Sequence, residues 1–311
     1  MSTLSTAVQN YLSLRRRLGF KLRDEGTLLP DFVSFLERQG ASHITTELAL
    51  QWALLPAGTL QAHWATRLRM VRLFATHWSA TDPRTEVPPL GLLPYRYHRK
   101  PPHIYTDEEI LGLIRAARGL WTTTGLRPDT YFTLLGLLAV TGMRAGEVVS
   151  LDRDDVDLVH GVLTIRRTKF GKSRLVPVHP STQRALRRYA DRRDRTYPEP
   201  KTPSFFLSEQ GRRLTYWIVR WTFVQLSRQC GLRAPGDRRG PRLHDFRHTF
   251  AVRTLLGWYR AGANVEQRIP ELSTYLGHVH VTDTYWYLSA VPELLTLAAA
   301  RLENAQGEPR P

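Results

Sequence analysis

The sequence predicts an α+β protein that is mostly α: an N-terminal helical bundle followed by a mixed domain holding one small antiparallel sheet. Three observations carry this. Apolar residues recur at helical spacing over most of the 311 residues; only two adjacent runs, "GVLTIRR" (161–167) and "SRLVPV" (173–178), look like strands; and "DPRTEVPPLGLLPYRYHRKPP" (82–102) collects six of the twenty prolines. Proline fixes its own φ and lacks an amide donor, so that stretch suits a connection better than a helix or a central strand. The boundaries follow: a helical domain at 1–85, a linker at 86–103 and a second domain at 104–311.

In the first domain, periodicity predicts helices near 3–18, 26–38, 46–55 and 59–79, with Thr45 or Thr46 as N-cap of the third. The fourth contains "LQAHWATRLRMVRLFATHW". Trp64, Leu68, Val71, Phe74 and Ala75 form its apolar stripe, and Arg67, Arg69 and Arg72 fall largely outside it, as a basic face or an ordinary solvated one. After the linker, Thr106 and Glu109 have capping-box spacing ahead of "ILGLIRAA". Helices are expected at 128–141 and through "RAGEVVSL". The two strands come next, joined by "TKFGK", whose glycine permits a tight turn. "DDVDL" (154–158) reads as a turn before the hairpin, since no second ligand patch accompanies its aspartates to make a metal site. Helices then recur at 181–195, 215–229, 243–257, 268–276, 282–289 and 292–304.

Charge narrows the function. Lysine plus arginine total 44 against 28 acidic residues, a net +16, and only Lys21, Lys100, Lys169, Lys172 and Lys201 are lysines. Guanidinium forks match phosphate oxygens in pairs, so an arginine-dominated excess favours a nucleic acid partner over a merely solvated surface. The single cysteine, Cys230, excludes an intrachain disulfide and suits a reducing cytoplasm. No apolar run reaches the roughly 18 residues of a membrane helix, and "YLSLRRRLGF" puts arginines where a signal peptide would be apolar.

Four separated stretches carry the chemistry. "TGMRAGEVVSL" holds Arg144, "TKFGKSRLVPV" holds Lys169, "LHDFRHTFAV" holds His244 and Arg247, and "LGHVHVTDTYWYL" holds His278 and Tyr287. In this order and spacing they resemble the tyrosine recombinases, or phage integrase family, over roughly residues 100–300. The resemblance implies a core-binding, SAM-like N-terminal bundle, and a clamp of two domains around double-stranded DNA. It further implies cleavage and rejoining through a 3′-phosphotyrosine, and exchange through a Holliday junction by a homotetramer. No nucleotide cofactor and no metal are implied, and a cytoplasmic, nucleoid-associated setting follows.

The residue types fit that reaction. Two guanidiniums, Arg144 and Arg247, suit the negative charge of a pentavalent phosphorus. Lys169 is placed to protonate the leaving 5′ oxygen, with Lys172 as its rival. His244 and His278 become phosphate or proton partners, and His248 a supporting residue. Glu147, one turn after Arg144, is either a holder of basic groups or a surface carboxylate.

Two tyrosines compete as nucleophile. Val281, Tyr285 and Leu288 share an i, i+4, i+7 stripe, which assigns Tyr285 to the core and turns Tyr287 the other way. Tyr287 also stands at the family's spacing from His278. The helix "ELLTLAAARL" (293–302) suits either packing at home or docking on a neighbouring protomer. With no arm-binding domain before Met1, and with a long spacer containing Pro270, the chain is expected to resemble the simpler resolvases and transposon-borne recombinases. Type IB topoisomerase-like relaxation and a silent DNA-binding regulator are the alternatives. The former usually has lysine where His244 stands, and the latter would not need Tyr287.

Overall fold

A computed structural model describes residues 3–95, 101–166, 173–237, 239–289 and 291–307, and the chain divides into two compact units, Met1–Lys100 and Pro101–Pro311. The first contains four helices, α1 (Thr3–Arg17), α2 (Glu25–Arg38), α3 (Thr46–Leu54) and α4 (Gln61–Trp78). Leu12, Leu29, Phe32, Leu36, Trp52, Val71 and Phe74 form its core. Thr45 is the cap of α3, accepting from the Leu48 amide at 3.2 Å. The chain after α4 returns to this bundle: the Glu86 carboxylate accepts from the Thr46 amide at 2.7 Å, and the Glu86 amide donates to the Ile44 carbonyl.

On α4, Arg69 is exposed and Arg72 half-buried, but Arg67 is not on the solvated face where its spacing puts it. Its guanidinium is buried, lies 3.6 Å above the Trp52 ring and donates to the Trp52 carbonyl at 2.9 Å. A flat delocalised cation packs on indole at little cost, so a residue that polarity alone assigns to solvent belongs to the core.

The second unit is built around α6 (Leu126–Thr141), which packs against α5 (Asp107–Arg118), α8 (Pro180–Thr196) and α10 (Leu243–Arg260). The predicted capping box is present, with the Thr106 hydroxyl and the Glu109 carboxylate each accepting the other's backbone amide. Strands β2 (Val162–Ile165) and β3 (Arg174–Pro177) pair antiparallel, Leu163 opposite Val176. The "DDVDL" segment supplies more than a turn. Val156 and Asp157 form β1, which pairs with β2 because Val156 has a buried side to offer the core. Among the described residues no cluster of three metal-capable side chains occurs.

The remaining elements are α7 (Ala145–Ser150), α9 (Tyr216–Gln229), α11 (Val265–Leu276), α12 (Thr282–Tyr285), a 3-10 turn (Trp286–Ser289) and α13 (Pro292–Gly307). A second apolar cluster joins α10, α11, the 3-10 turn and α13 through Val252, Leu255, Leu272, Leu276, Tyr287 and Leu294. In this single chain the last helix lies on α10 with Leu294 buried and Leu295 exposed.

Candidate active site

Two glycines set the geometry. Gly142 ends α6 at φ 60°, where a Cβ would lie 2.6 Å from the Phe250 ring, and Gly277 ends α11 at φ 70°, where a Cβ would lie 2.7 Å from the Arg174 guanidinium. Both positions thus require glycine for conformation and for space. The first turns the chain into Arg144 and the second into His278.

Arg144 stands before α7. Its backbone amide donates to Glu147 Oε2 at 3.0 Å, its Nη1 to Glu147 Oε1 at 2.8 Å, and its Nη2 to the Gly277 carbonyl at 3.3 Å. Arg247 comes from the second turn of α10 and is 1% exposed. It donates to the Gly142 carbonyl at 3.1 Å and to the Leu276 carbonyl at 2.7 Å. A third arginine, absent from the sequence reading, completes the set. Arg174 on β3 donates Nε to the Tyr275 carbonyl at 2.8 Å and grips both Glu147 oxygens at 3.1 and 2.8 Å. Three guanidiniums therefore cap three consecutive carbonyls, 275 to 277, at the end of α11. Carbonyls of a last helical turn lack partners within the helix and carry the negative end of its dipole, which is why cations settle there.

His278 follows directly. Its Nδ1 lies 2.7 Å from the hydroxyl of the buried Thr284, and its ring is stacked near-parallel on Tyr287 with centroids 6.0 Å apart. His244 contacts the buried His248 edge-on at 4.7 Å, and His248 in turn meets Tyr287 at 5.5 Å and Trp286 at 5.2 Å. Rings thus run continuously from His244 to His278 by way of His248 and Tyr287.

The two tyrosines reverse the expected stripe. Tyr285 is 45% exposed and Val281 39%, whereas Tyr287 is 2% exposed. The two tyrosines still point apart, as the wheel requires, but the side that faces inward is set by packing: α12 lies on α11 and the 3-10 turn lies on α10, so Thr284, Tyr287 and Leu288 face inward. The phenol of Tyr287 is buried, but beside Arg247, whose charge it senses, and against His278.

Charge is concentrated here. Burial, then repulsion by Arg144, lowers Arg247 to about 10. Burial, then the charges of Arg247 and Arg144, lowers His278 to about 4. His244 is lowered to about 4 by burial and then by Arg247, with Arg144 adding to it against the pull of Asp245; because the residue is exposed, the guanidiniums are its firmer cause. Both imidazoles are neutral at pH 7. Burial opposes ionisation of Glu147, but the forks of Arg174 and Arg144 outweigh it and its carboxyl is held low. Juxtaposed guanidiniums with two neutral imidazoles and a phenol make a donor-rich cluster suited to an anion.

Of the residues singled out in the sequence, Arg144, Arg247, His278 and Tyr287 meet in this cluster, and His244 joins through its electrostatic contact with both arginines. Lys169, Lys172 and the rest of the hairpin tip lie outside the described residues. Arg174 was legible in principle: on a strand it shares a face with the apolar Val176, two residues on, and that face is the buried one.

Known proteins share this chain's sequence and fold. The model of the Phage integrase family matches residues 106–293. The protein y4rB of Sinorhizobium fredii, named for an inferred integrase/recombinase role, is 52% identical over 308 residues, covering 98% of each chain. The Tn1549 transposon integrase solved with transposon right-end DNA shares the fold at 18% identity, with a TM-score of 0.64 over 96% of this chain and 98% of that one. So does a lambda integrase tetramer solved on a Holliday junction, at 18% identity and a TM-score of 0.59 over 91% of this chain and 76% of that one. The motifs, the fold and these matches run through the same residues, and the chain belongs to the phage integrase family, the tyrosine recombinases.

Proposed function

We propose that the protein is a site-specific DNA strand transferase in which the Tyr287 phenol attacks a backbone phosphorus. The Oη–P bond forms as the P–O5′ bond breaks, leaving a 3′-phosphotyrosine and a 5′-hydroxyl, and attack by another strand's 5′-hydroxyl reverses the step. Arg144 and Arg247 stabilise the nonbridging oxygens. His278 or His244, neutral at pH 7, accepts the phenol proton, and Lys169 protonates the leaving oxygen. The observation that carries this reading is the meeting of Arg144, Arg247 and Tyr287 at the end of α11.

Since Arg247 and Tyr287 are both covered, a scissile phosphate reaches them only if the short α12 and 3-10 segment shifts outward on DNA. Homotetramer assembly on two sites is the form of action favoured by the lambda integrase likeness, and the N-terminal helices supply further DNA contacts. A cytoplasmic, nucleoid-associated location fits this activity, and among the described residues no helix is long and apolar enough to cross a membrane.

The test is adduct trapping. A pool of nicked duplexes with randomised cores is incubated with the protein, covalent adducts are recovered and their DNA ends sequenced. Tyr287→Phe is expected to abolish the adduct and Tyr285→Phe to leave it. An adduct that survives Tyr287→Phe, or no adduct from the unaltered protein on a pool it binds, contradicts the assignment. Binding itself should weaken steeply with salt as counterions are released.

A further inference from the structure

We propose that Arg174 is a positioning residue for strand transfer: it acts through Glu147 to fix the Arg144 guanidinium, and through the Tyr275 carbonyl to fix the helix end that presents His278. This rests on the function proposed above. Neither Arg174 nor Glu147 is assigned a part in touching DNA.

The geometry is that of a strut. Glu147 Oε1 accepts from both Arg144 Nη1 (2.8 Å) and Arg174 Nη1 (3.1 Å), while Oε2 accepts from the Arg144 amide (3.0 Å) and Arg174 Nη2 (2.8 Å). One carboxylate thus holds the backbone and side chain of Arg144, and the whole fork of Arg174 closes on the same carboxylate. Both side chains are nearly closed to solvent, Glu147 at 8% and Arg174 at 11%, against 31% for Arg144. The exposed end of the network is therefore the arginine that meets phosphate, and the covered end is the one that braces it. Arg174 Nε reaches the Tyr275 carbonyl at 2.8 Å, and the absence of a Cβ at Gly277 lets its guanidinium lie against the turn leading into His278. Three segments far apart in sequence, β3, α7 and the end of α11, are pinned by one planar group. Lysine offers no second face for such a fit.

A measurable consequence separates bracing from mere stability. Among the described residues, the charged groups facing Glu147 are Arg144 from its own turn, Arg174 from β3 and Arg247 from α10. Without Arg174, burial is opposed by fewer charges and the Glu147 carboxyl rises. As pH falls, a protonated Glu147 then releases Arg144 in a range where the unaltered protein still holds it.

Single-turnover cleavage is measured on the duplex recovered by adduct trapping, beside equilibrium binding to that duplex and thermal unfolding. Arg174→Met is expected to slow cleavage about 100-fold and Arg174→Lys about tenfold, with affinity changed less than about threefold, because a misplaced group costs rate more than binding. The acidic limb of the pH–rate profile should move upward in Arg174→Met, and combining it with Glu147→Gln should cost little more than either change alone. Should Arg174→Met fail to fold, Arg174→Lys decides. Cleavage by Arg174→Lys equal to that of the unaltered protein overturns the proposal, as does loss of affinity equal to the loss of rate, which would make Arg174 a direct DNA contact. If the unaltered protein forms no adduct, the function reading fails on its own. The 13C titration of the Glu147 carboxyl, which needs no DNA, still judges Arg174: a rise in the variant supports the brace, and an unmoved titration overturns it.

Discussion

Both units of the molecule bury arginine, and Arg67 in the first and Arg247 in the second are held differently. In the N-terminal bundle Arg67 lies flat on Trp52, donates to that residue's carbonyl and has Asp31 3.9 Å away. In the second unit Arg247 is still more deeply covered, donates to the Gly142 and Leu276 carbonyls, and has another arginine, Arg144, as a principal electrostatic neighbour. The first arrangement sets a cation on an aromatic face with a carboxylate nearby. The second crowds two cations at one helix end, a cost that, under the proposed function, an incoming phosphate would offset. Burial is therefore no guide to the role of an arginine, whereas the sign of its neighbours is.

The largest test of this contrast exchanges each arginine. Arg247→Met should cut adduct formation about 100- to 1000-fold, the usual effect of deleting a donor aimed at a developing oxyanion. It should leave thermal stability unchanged or raised, since removing a buried like charge offsets the two carbonyl contacts it loses. Arg67→Ala should do the reverse, costing about 2–3 kcal/mol in urea unfolding of the full chain through lost stacking and a lost hydrogen bond, with the cleavage rate constant intact. A large fall in stability for Arg247→Met would mean that its carbonyl contacts, and not an anion, account for its position.

Smaller, and confined to the second unit, is the response to acid. His278 and His244 titrate near 4 in the folded protein against about 6.5 when unfolded. Between those values the unfolded chain binds more protons, so stability rises with pH. The contribution is fully present above about pH 6.5 and is lost as pH falls towards 4. The urea midpoint should drop between pH 7 and pH 5, and His278→Phe should flatten that slope. An N-terminal unit that lost stability over the same range would break the contrast, because the clustered guanidiniums that lower His244 and His278 belong to the second unit.

What was legible in the sequence follows the range of the forces involved. Helix positions, the Thr106–Glu109 capping box and the β2–β3 hairpin strands depend on neighbours within a few residues, and all appear where periodicity and caps put them. The mostly helical fold and the family were readable for the same reason, since Arg144, His244, Arg247, His278 and Tyr287 lie in short motifs. Other features depend on partners far along the chain. Arg67 is buried by Trp52, fifteen residues away, and Arg174 is placed by Glu147 and Tyr275, across 27 and 101 residues. The facing of Tyr285 and Tyr287 was inverted because a wheel fixes only their separation, and which side turns inward is decided by the distant helices α10 and α11 that pack on the segment.

The smallest expected effect refines what holds Arg67. Asp31 is 55% exposed and 3.9 Å from the guanidinium, a poor geometry in high dielectric, whereas its Oδ2 accepts from the Trp52 indole at 2.9 Å. Asparagine keeps an acceptor at that position and removes the charge. Asp31→Asn should therefore change stability by less than about 0.5 kcal/mol, with little dependence on salt. A loss above about 1 kcal/mol that vanishes at high salt would assign the burial of Arg67 to its carboxylate. The aromatic face would then be secondary, and the two units would differ only in how many cations share an anion.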